Sequence, residues 1–189
     1  MLLPTASLIL AAGALVAAQT PAGFTPEVAA RLDLIFGAKT VTVPGTSLTK
    51  AETAKQPTIG TSDAVLNGTY LWMMIDQDVP ANFQNPSAGG RRTNLHAMLT
   101  GYKAGANAGA VHALVTSATG PVAYTGPAPP AETPAHPHRY VSLLYETPAA
   151  GFAVTRAQVG QTLGFNLTAF VAAVGLVVPV RANYFNVTG

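Results

Sequence analysis

Six consecutive apolar residues, Tyr70-Leu71-Trp72-Met73-Met74-Ile75, run without interruption into Asp76-Gln77-Asp78-Val79-Pro80. The run lacks polar alternation and is too short for a helix, so it reads as a strand buried on both faces, with Trp72, Met73 and Met74 as core residues. A strand of that kind must have packed structure on each side of its sheet. The feature therefore asks for a layered fold with a central strand ending in two acids.

Further short strands surround it. Thr40-Val41-Thr42-Val43 alternates and ends at Pro44-Gly45, a strand followed by a turn. A strand near Thr58 and others over 95–99, 112–115, 140–145, 152–156 and 180–187 have β-rich or apolar composition between Pro and Gly punctuation. Two helices are expected. One runs from a Thr25-Pro26-Glu27 start to about Phe36, where Gly37 stops it. The other is capped by Asn166, carries Leu167, Phe170, Val171 and Val174, and weakens at Gly175. Between Tyr124 and Pro137 five prolines forbid a central strand, because each lacks a backbone N–H, so this segment reads as a rigid loop. Many strands and few helices give a mainly β fold, an antiparallel β-sandwich with short peripheral helices.

Composition excludes several function classes. The 189 residues include no cysteine, which rules out disulfides, thiolate nucleophiles and Cys-ligated metals in this chain. Charged residues make up 10%, against roughly 25% in a typical domain. The net charge is only +2, and Arg91-Arg92 is the one adjacent basic pair, read here as a solvated loop pair. A nucleic-acid partner needs clustered cations and is not expected.

The first residues read as a secretory leader. An apolar core from about Leu8 to Val16 is too short to span a bilayer, and Val16-Ala17-Ala18 fits a cleavage site before Gln19. The expected organisation is a signal peptide over 1–18 and a single domain over 19–189, without a transmembrane segment in the mature chain. The expected destination is extracellular, with vacuole and cell wall as variants. Asn67, Asn166 and Asn186 each head an Asn-X-Thr glycosylation sequon, whereas Pro86 blocks the one at Asn85.

Functional residue types gather in three places. Asp76 and Asp78, two apart on an extended chain, share a face, and like charges placed together call for a network of donors. His96 sits inside the apolar strand Leu95-His96-Ala97-Met98-Leu99, and His138-Arg139-Tyr140 lies where the Pro-rich loop enters a strand. A histidine in an apolar strand is commonly a hydrogen-bonded core residue. His112 and His136 are read as core or loop residues.

Four blocks, in order, resemble the phosphatidylethanolamine-binding protein (PEBP) family in a secreted, fungal-type form. They are Tyr70 to Pro80, Leu95-His96 with Leu99, Tyr124 to Pro130 followed by His138 to Glu146, and Pro179-Val180-Arg181-Ala182-Asn183-Tyr184-Phe185. The resemblance implies a β-sandwich with flanking helices and a pocket for small anions, including phosphate head groups. Carried over, the ligand-binding set is Asp76, Asp78, Pro80, His96, Pro129, His138 and Tyr140, with Ala128 on the rim. The histidines would donate to the anion, and the aspartates would accept from imidazoles or loop N–H groups. Tyr140 either places its hydroxyl in the pocket or packs in its wall, and Arg139 is read as a structural ion-pair partner.

The chain departs from the family pattern in three ways. Gln77 stands where the family has Pro, the segment 131–137 is longer than the usual link before His-Arg-Tyr, and Thr93-Asn94 replace an aromatic. The implied function is a secreted, non-catalytic binding protein without a cofactor or metal. Its partner is a phospholipid head group, another small anion or a peptide carboxylate. A serine carboxypeptidase-type protease inhibitor acting through its surface is the alternative. A metal- or His-dependent enzyme, built on two histidines and a carboxylate, ranks below both, and a scaffold with a vestigial pocket is a further reading.

Overall fold

The computed structural model describes residues 17–87, 89–148 and 151–189. All but the last two positions of the expected leader lie outside them. Ten strands and two short helices follow in the order β1 (Asp33–Phe36), β2 (Lys39–Thr40), β3 (Thr46–Ser47), β4 (Thr58–Thr61), β5 (Tyr70–Pro80), β6 (Arg91–Ala104), β7 (His112–Val115), β8 (Pro121–Val122), β9 (His138–Glu146), α1 (Arg156–Val159), α2 (Leu167–Val174) and β10 (Pro179–Val187).

The strands form one curled sheet in the order β2-β1-β4-β7-β6-β5-β9-β10-β3, with β8 added beside β6. All pairings are antiparallel except that of β10 with β3. The curl depends on β6, which pairs with β5 along most of its length and passes to β7 at Lys103 and Ala104. Between Leu99 and Tyr102 the β5–β6 register slips, and Gly101 there has φ 71°, a left-handed conformation that a side chain would disfavour.

The β5 run is buried on both faces, as its composition required. Trp72 and Met74 enter a core enclosed by the curled sheet, with Leu34, Ile59, Leu99, Tyr140, Leu144 and Phe185. Leu71, Met73 and Ile75 enter a second core on the opposite face, under Val159, Phe165, Phe170 and Leu176 from the helical segment. Removing a large apolar side chain from water contributes about 1.5–3 kcal/mol, so a strand feeding two cores anchors the whole fold. The short helices cover the sheet face that would otherwise be bare.

Some local expectations are corrected. No helix spans 25–36; its C-terminal part is strand β1. Leu32 N–H donates to Ala182 O, Ala182 N–H to Ala30 O, and β1 pairs with β2 and β4, so distant partners override a good helix start. The strand expected over 152–156 is also absent. Thr155 and Gln158 form a reciprocal capping box that opens α1. Arg91 and Arg92 do not sit in a solvated loop but begin β6, with the Arg91 side chain 23% exposed. The second helix forms as expected. Asn166 Oδ1 accepts from Ala169 N–H at 2.9 Å, and Gly175 closes the helix at φ 71°.

Candidate ligand pocket

Strand parity gathers the site. Asp76 is in register with Tyr140 on β9 and with Asn94 on β6, so β5, β6 and β9 bring these residues together at one end of the enclosed core. His96 and His138 flank Tyr140, with ring centroids 5.2 Å and 6.5 Å from its own. Asp76, Asn94, His96, His138 and Tyr140 line a cavity of about 200 Å3.

The Pro-rich loop closes one side. Thr125 N–H donates to His96 O at 2.8 Å. Tyr124 Oη donates to Thr53 O at 2.6 Å. Gly126 permits this approach, since a Cβ there would stand 3.0 Å from Thr53 O. Ala128, Pro129 and Pro130 then form an apolar wall facing Val79 and Phe83 at the mouth.

The polar floor is an ordered network. His138 Nδ1 donates to Asp76 Oδ2 at 2.8 Å, while Asp76 Oδ1 accepts from Asp78 N–H at 2.8 Å. His138 Nε2 donates to Glu132 Oε1 at 3.0 Å. Glu132 is held in turn by both terminal nitrogens of Arg91, each at 2.7 Å. Its side chain is 1% exposed. These hydrogen bonds and the Arg91 charge outweigh burial and hold the Glu132 carboxyl down to about 2. Burial works against a charged His138, but the two carboxylates at its nitrogens prevail and raise its pKa above the ordinary 6.5. His138 is thus an imidazolium whose two donors are both in use.

His96 is the opposite case. Burial dominates and lowers its pKa from 6.5, leaving a neutral ring. Its Nδ1 stands 2.9 Å from Thr125 O and its Nε2 3.1 Å from Asn94 Nδ2. Since Thr125 O can only accept, Nδ1 carries the proton and Nε2 accepts from the Asn94 amide. Tyr140 stacks its ring on Phe185 and so packs in the core, yet its hydroxyl is buried without a hydrogen-bond partner. Burial first, then the Asp76 charge and a loose contact of the hydroxyl with that carboxylate, raise the Tyr140 pKa and keep the hydroxyl a donor.

The sequence-derived set is only partly on the cavity wall. Asp76, His96, Pro129, His138 and Tyr140 line it, whereas Asp78 and Pro80 do not. The Asp78 carboxylate receives Arg139 Nε at 2.8 Å, Nη2 at 2.7 Å and the Arg139 backbone N–H at 2.9 Å. Burial opposes its charge, but these bonds win and lower its pKa. Arg139 is therefore an ion-pair partner, as read from the sequence. His136 Nε2 lies 3.4 Å from Asp78 Oδ1 without a hydrogen bond. Glu132, Arg91 and Asn94 were not anticipated. The available signal was Glu132 itself, the sole acid in the Pro-rich segment.

Comparison with known proteins decides the family, because residues 37–181 match the family model for phosphatidylethanolamine-binding protein. The chain belongs to the PEBP family. One relative, the phomoidride biosynthesis cluster protein N of Talaromyces stipitatus, is 28% identical over 184 residues, 88% of each chain. The carboxypeptidase Y inhibitor, solved in complex with its cognate proteinase, superposes with a TM-score of 0.61 at 18% identity over 85% of this chain and 84% of that one. The phosphatidylethanolamine-binding protein from Plasmodium vivax gives 0.50 at 18% identity over 82% and 83%. In this PEBP chain the pocket lies at the ends of β5, β6 and β9, and the long segment before His138 delivers Glu132 to its edge.

Proposed function

We propose that this PEBP-family chain is a secreted, non-catalytic binding protein that takes the anionic head group of a small ligand into the cavity between Asp76, His96 and Tyr140. The observation that carries the reading is the Tyr140 hydroxyl, buried at the cavity wall beside the Asp76 carboxylate but in no well-formed hydrogen bond. Such a group is costly unless something fills its valence. Asn94, whose amide gives one N–H to His96 Nε2, keeps the other for a ligand oxygen.

The same geometry argues against catalysis. His96 is backed by the Thr125 carbonyl rather than a carboxylate, and both nitrogens of His138 are committed to acids. Neither is poised as a general base. Among the described residues no group of three His, Asp or Glu side chains is arranged to hold a metal.

Calorimetric titration with acetate, phosphate and phosphoethanolamine tests the reading. At least one ligand should bind, and Tyr140→Phe should weaken it about tenfold without lowering the melting temperature of the free protein. No binding by any of the three overturns the pocket reading. A second reading, inhibition of a serine carboxypeptidase through the surface, is favoured by the fold shared with the carboxypeptidase Y inhibitor. Its check is direct assay of carboxypeptidase Y with added protein. Secretion is checked by the mature N-terminus of exported protein, expected at Gln19.

A further inference from the structure

We infer that Glu132 sets the charge selectivity of the pocket, so that it takes a small monocarboxylic acid with an apolar body and rejects a doubly charged phosphate. The inference rests on the proposed anion site and narrows its ligand.

The argument begins with available donors. A phosphate dianion needs strong, charge-assisted donors, and Arg or imidazolium groups supply them best. Of the cations around this pocket, Arg91, His138 and Arg139 are each held by a carboxylate, while Arg92, in register with Val79, donates to Pro80 O. Glu132 occupies both terminal nitrogens of Arg91 and the Nε2 of His138, and Asp78 occupies Arg139. The carboxylates of Asp76, Asp78 and Glu132 cancel the three cations they hold, so none of these three is free to meet the second charge of a phosphate. What lines the cavity instead is the Tyr140 hydroxyl and the Asn94 amide, which keeps one N–H after giving the other to the neutral His96 Nε2. These suit two oxygens carrying one charge.

Size and the mouth complete the ligand. A cavity of about 200 Å3 falls below the roughly 300–1,000 Å3 of drug-sized sites, so the enclosed part is only a head group and a few carbons. Val79, Ala128, Pro129, Pro130 and a Phe83 that is 58% exposed give an apolar body a surface to leave along. Glu132 acts on the ligand through the cations it holds, since its carboxylate keeps Arg91 and His138 Nε2 from turning to a phosphate.

The test compares hexanoate with hexyl phosphate, which share a body and differ in head-group charge, by calorimetry at pH 7.5. The native protein should prefer hexanoate by tenfold or more. Glu132→Gln keeps the shape, frees a cationic donor set and should raise hexyl phosphate affinity about tenfold, with hexanoate changed less than threefold. An unchanged preference in that variant overturns the inference while leaving the pocket reading intact. Absence of binding for both ligands in both proteins removes the pocket reading and the inference with it. Should Glu132→Gln not fold, the native protein still decides. Its phosphate-to-carboxylate affinity ratio should fall steadily from pH 5.5 to 8 as hexyl phosphate takes its second charge near pH 6, and a constant ratio overturns the assignment.

Discussion

His96 makes anion binding a protonation event. Its Nδ1–H is committed to Thr125 O and its Nε2 accepts from Asn94, so Nε2 can meet a ligand oxygen as a donor only if the ring gains a second proton and the Asn94 amide turns away from it. If the ring stays neutral, the ligand must bring the proton as its own acid. Either route takes up one proton per anion near neutral pH, because the His96 pKa is lowered by burial. Acetate affinity should therefore rise about tenfold per pH unit on going from 8 to 7. Titration heats in buffers of different ionisation enthalpy should show uptake of one proton. Zero uptake would move the head group away from His96. At this scale the sequence displayed Asp76, His96, His138 and Tyr140, because strand parity places them together. It did not display that Glu132 reaches Arg91 across 41 positions or that Asp78 turns to Arg139. Those contacts depend on the path of a Pro-rich loop, which no periodicity specifies.

The elements that could be read were those whose burial marks the sequence. The Tyr70–Ile75 part of β5 feeds two cores and is apolar without a break, and Tyr140–Tyr145 of β9 is interrupted only by Ser142. β1 was misread because Thr25-Pro26-Glu27 is a sound helix start, while the decisive bonds to β10 lie some 150 residues away and leave no local trace. The alternation of Leu32, Leu34 and Phe36, all buried, was the competing signal. Helix α2 succeeded because its cap is local. Replacing Asn166 by Ala removes the acceptor for Ala169 N–H and should cost about 1 kcal/mol in denaturant unfolding of unglycosylated protein. Phe170→Ala, which empties a buried position against Phe165, should cost about 3–5 kcal/mol. Equal costs for the two would mean that α2 is held by packing on the sheet no more than by its cap.

For the whole molecule, the pocket network makes stability a function of pH. The sequence announced a sandwich with clustered ionisable groups, but the sign of each group's effect needed its partners. His138 faces Asp76 from β5, Glu132 from the loop, and the rings of Tyr140 and His136. Its pKa in the folded state is raised above 6.5, so its stabilising contribution is complete below pH 6.5 and declines as pH climbs through the folded value. Glu132 is lowered from 4.5 to about 2, and its contribution is complete above pH 4.5 and disappears as pH falls towards 2. Asp78, lowered from 3.8, acts in the same direction, and His96, lowered from 6.5, penalises the folded state progressively below that pH. The acid limb is therefore shared by several groups, whereas the alkaline limb belongs to His138. His138→Gln should flatten the fall in melting temperature above pH 6.5 and leave the acid limb in place. Glu132→Ala should lower stability by about 1–2 kcal/mol at pH 6, because it leaves Arg91 with Asp78 O alone and removes one of the two acids that charge His138. The same substitution should start the alkaline decline at a lower pH, since with Asp76 alone the His138 charge is held less firmly. Melting curves of the three proteins from pH 4 to 9 check this. A native alkaline limb that persists in His138→Gln would show that the histidine is not charged between its two carboxylates, and the cancellation of charge between them would no longer stand.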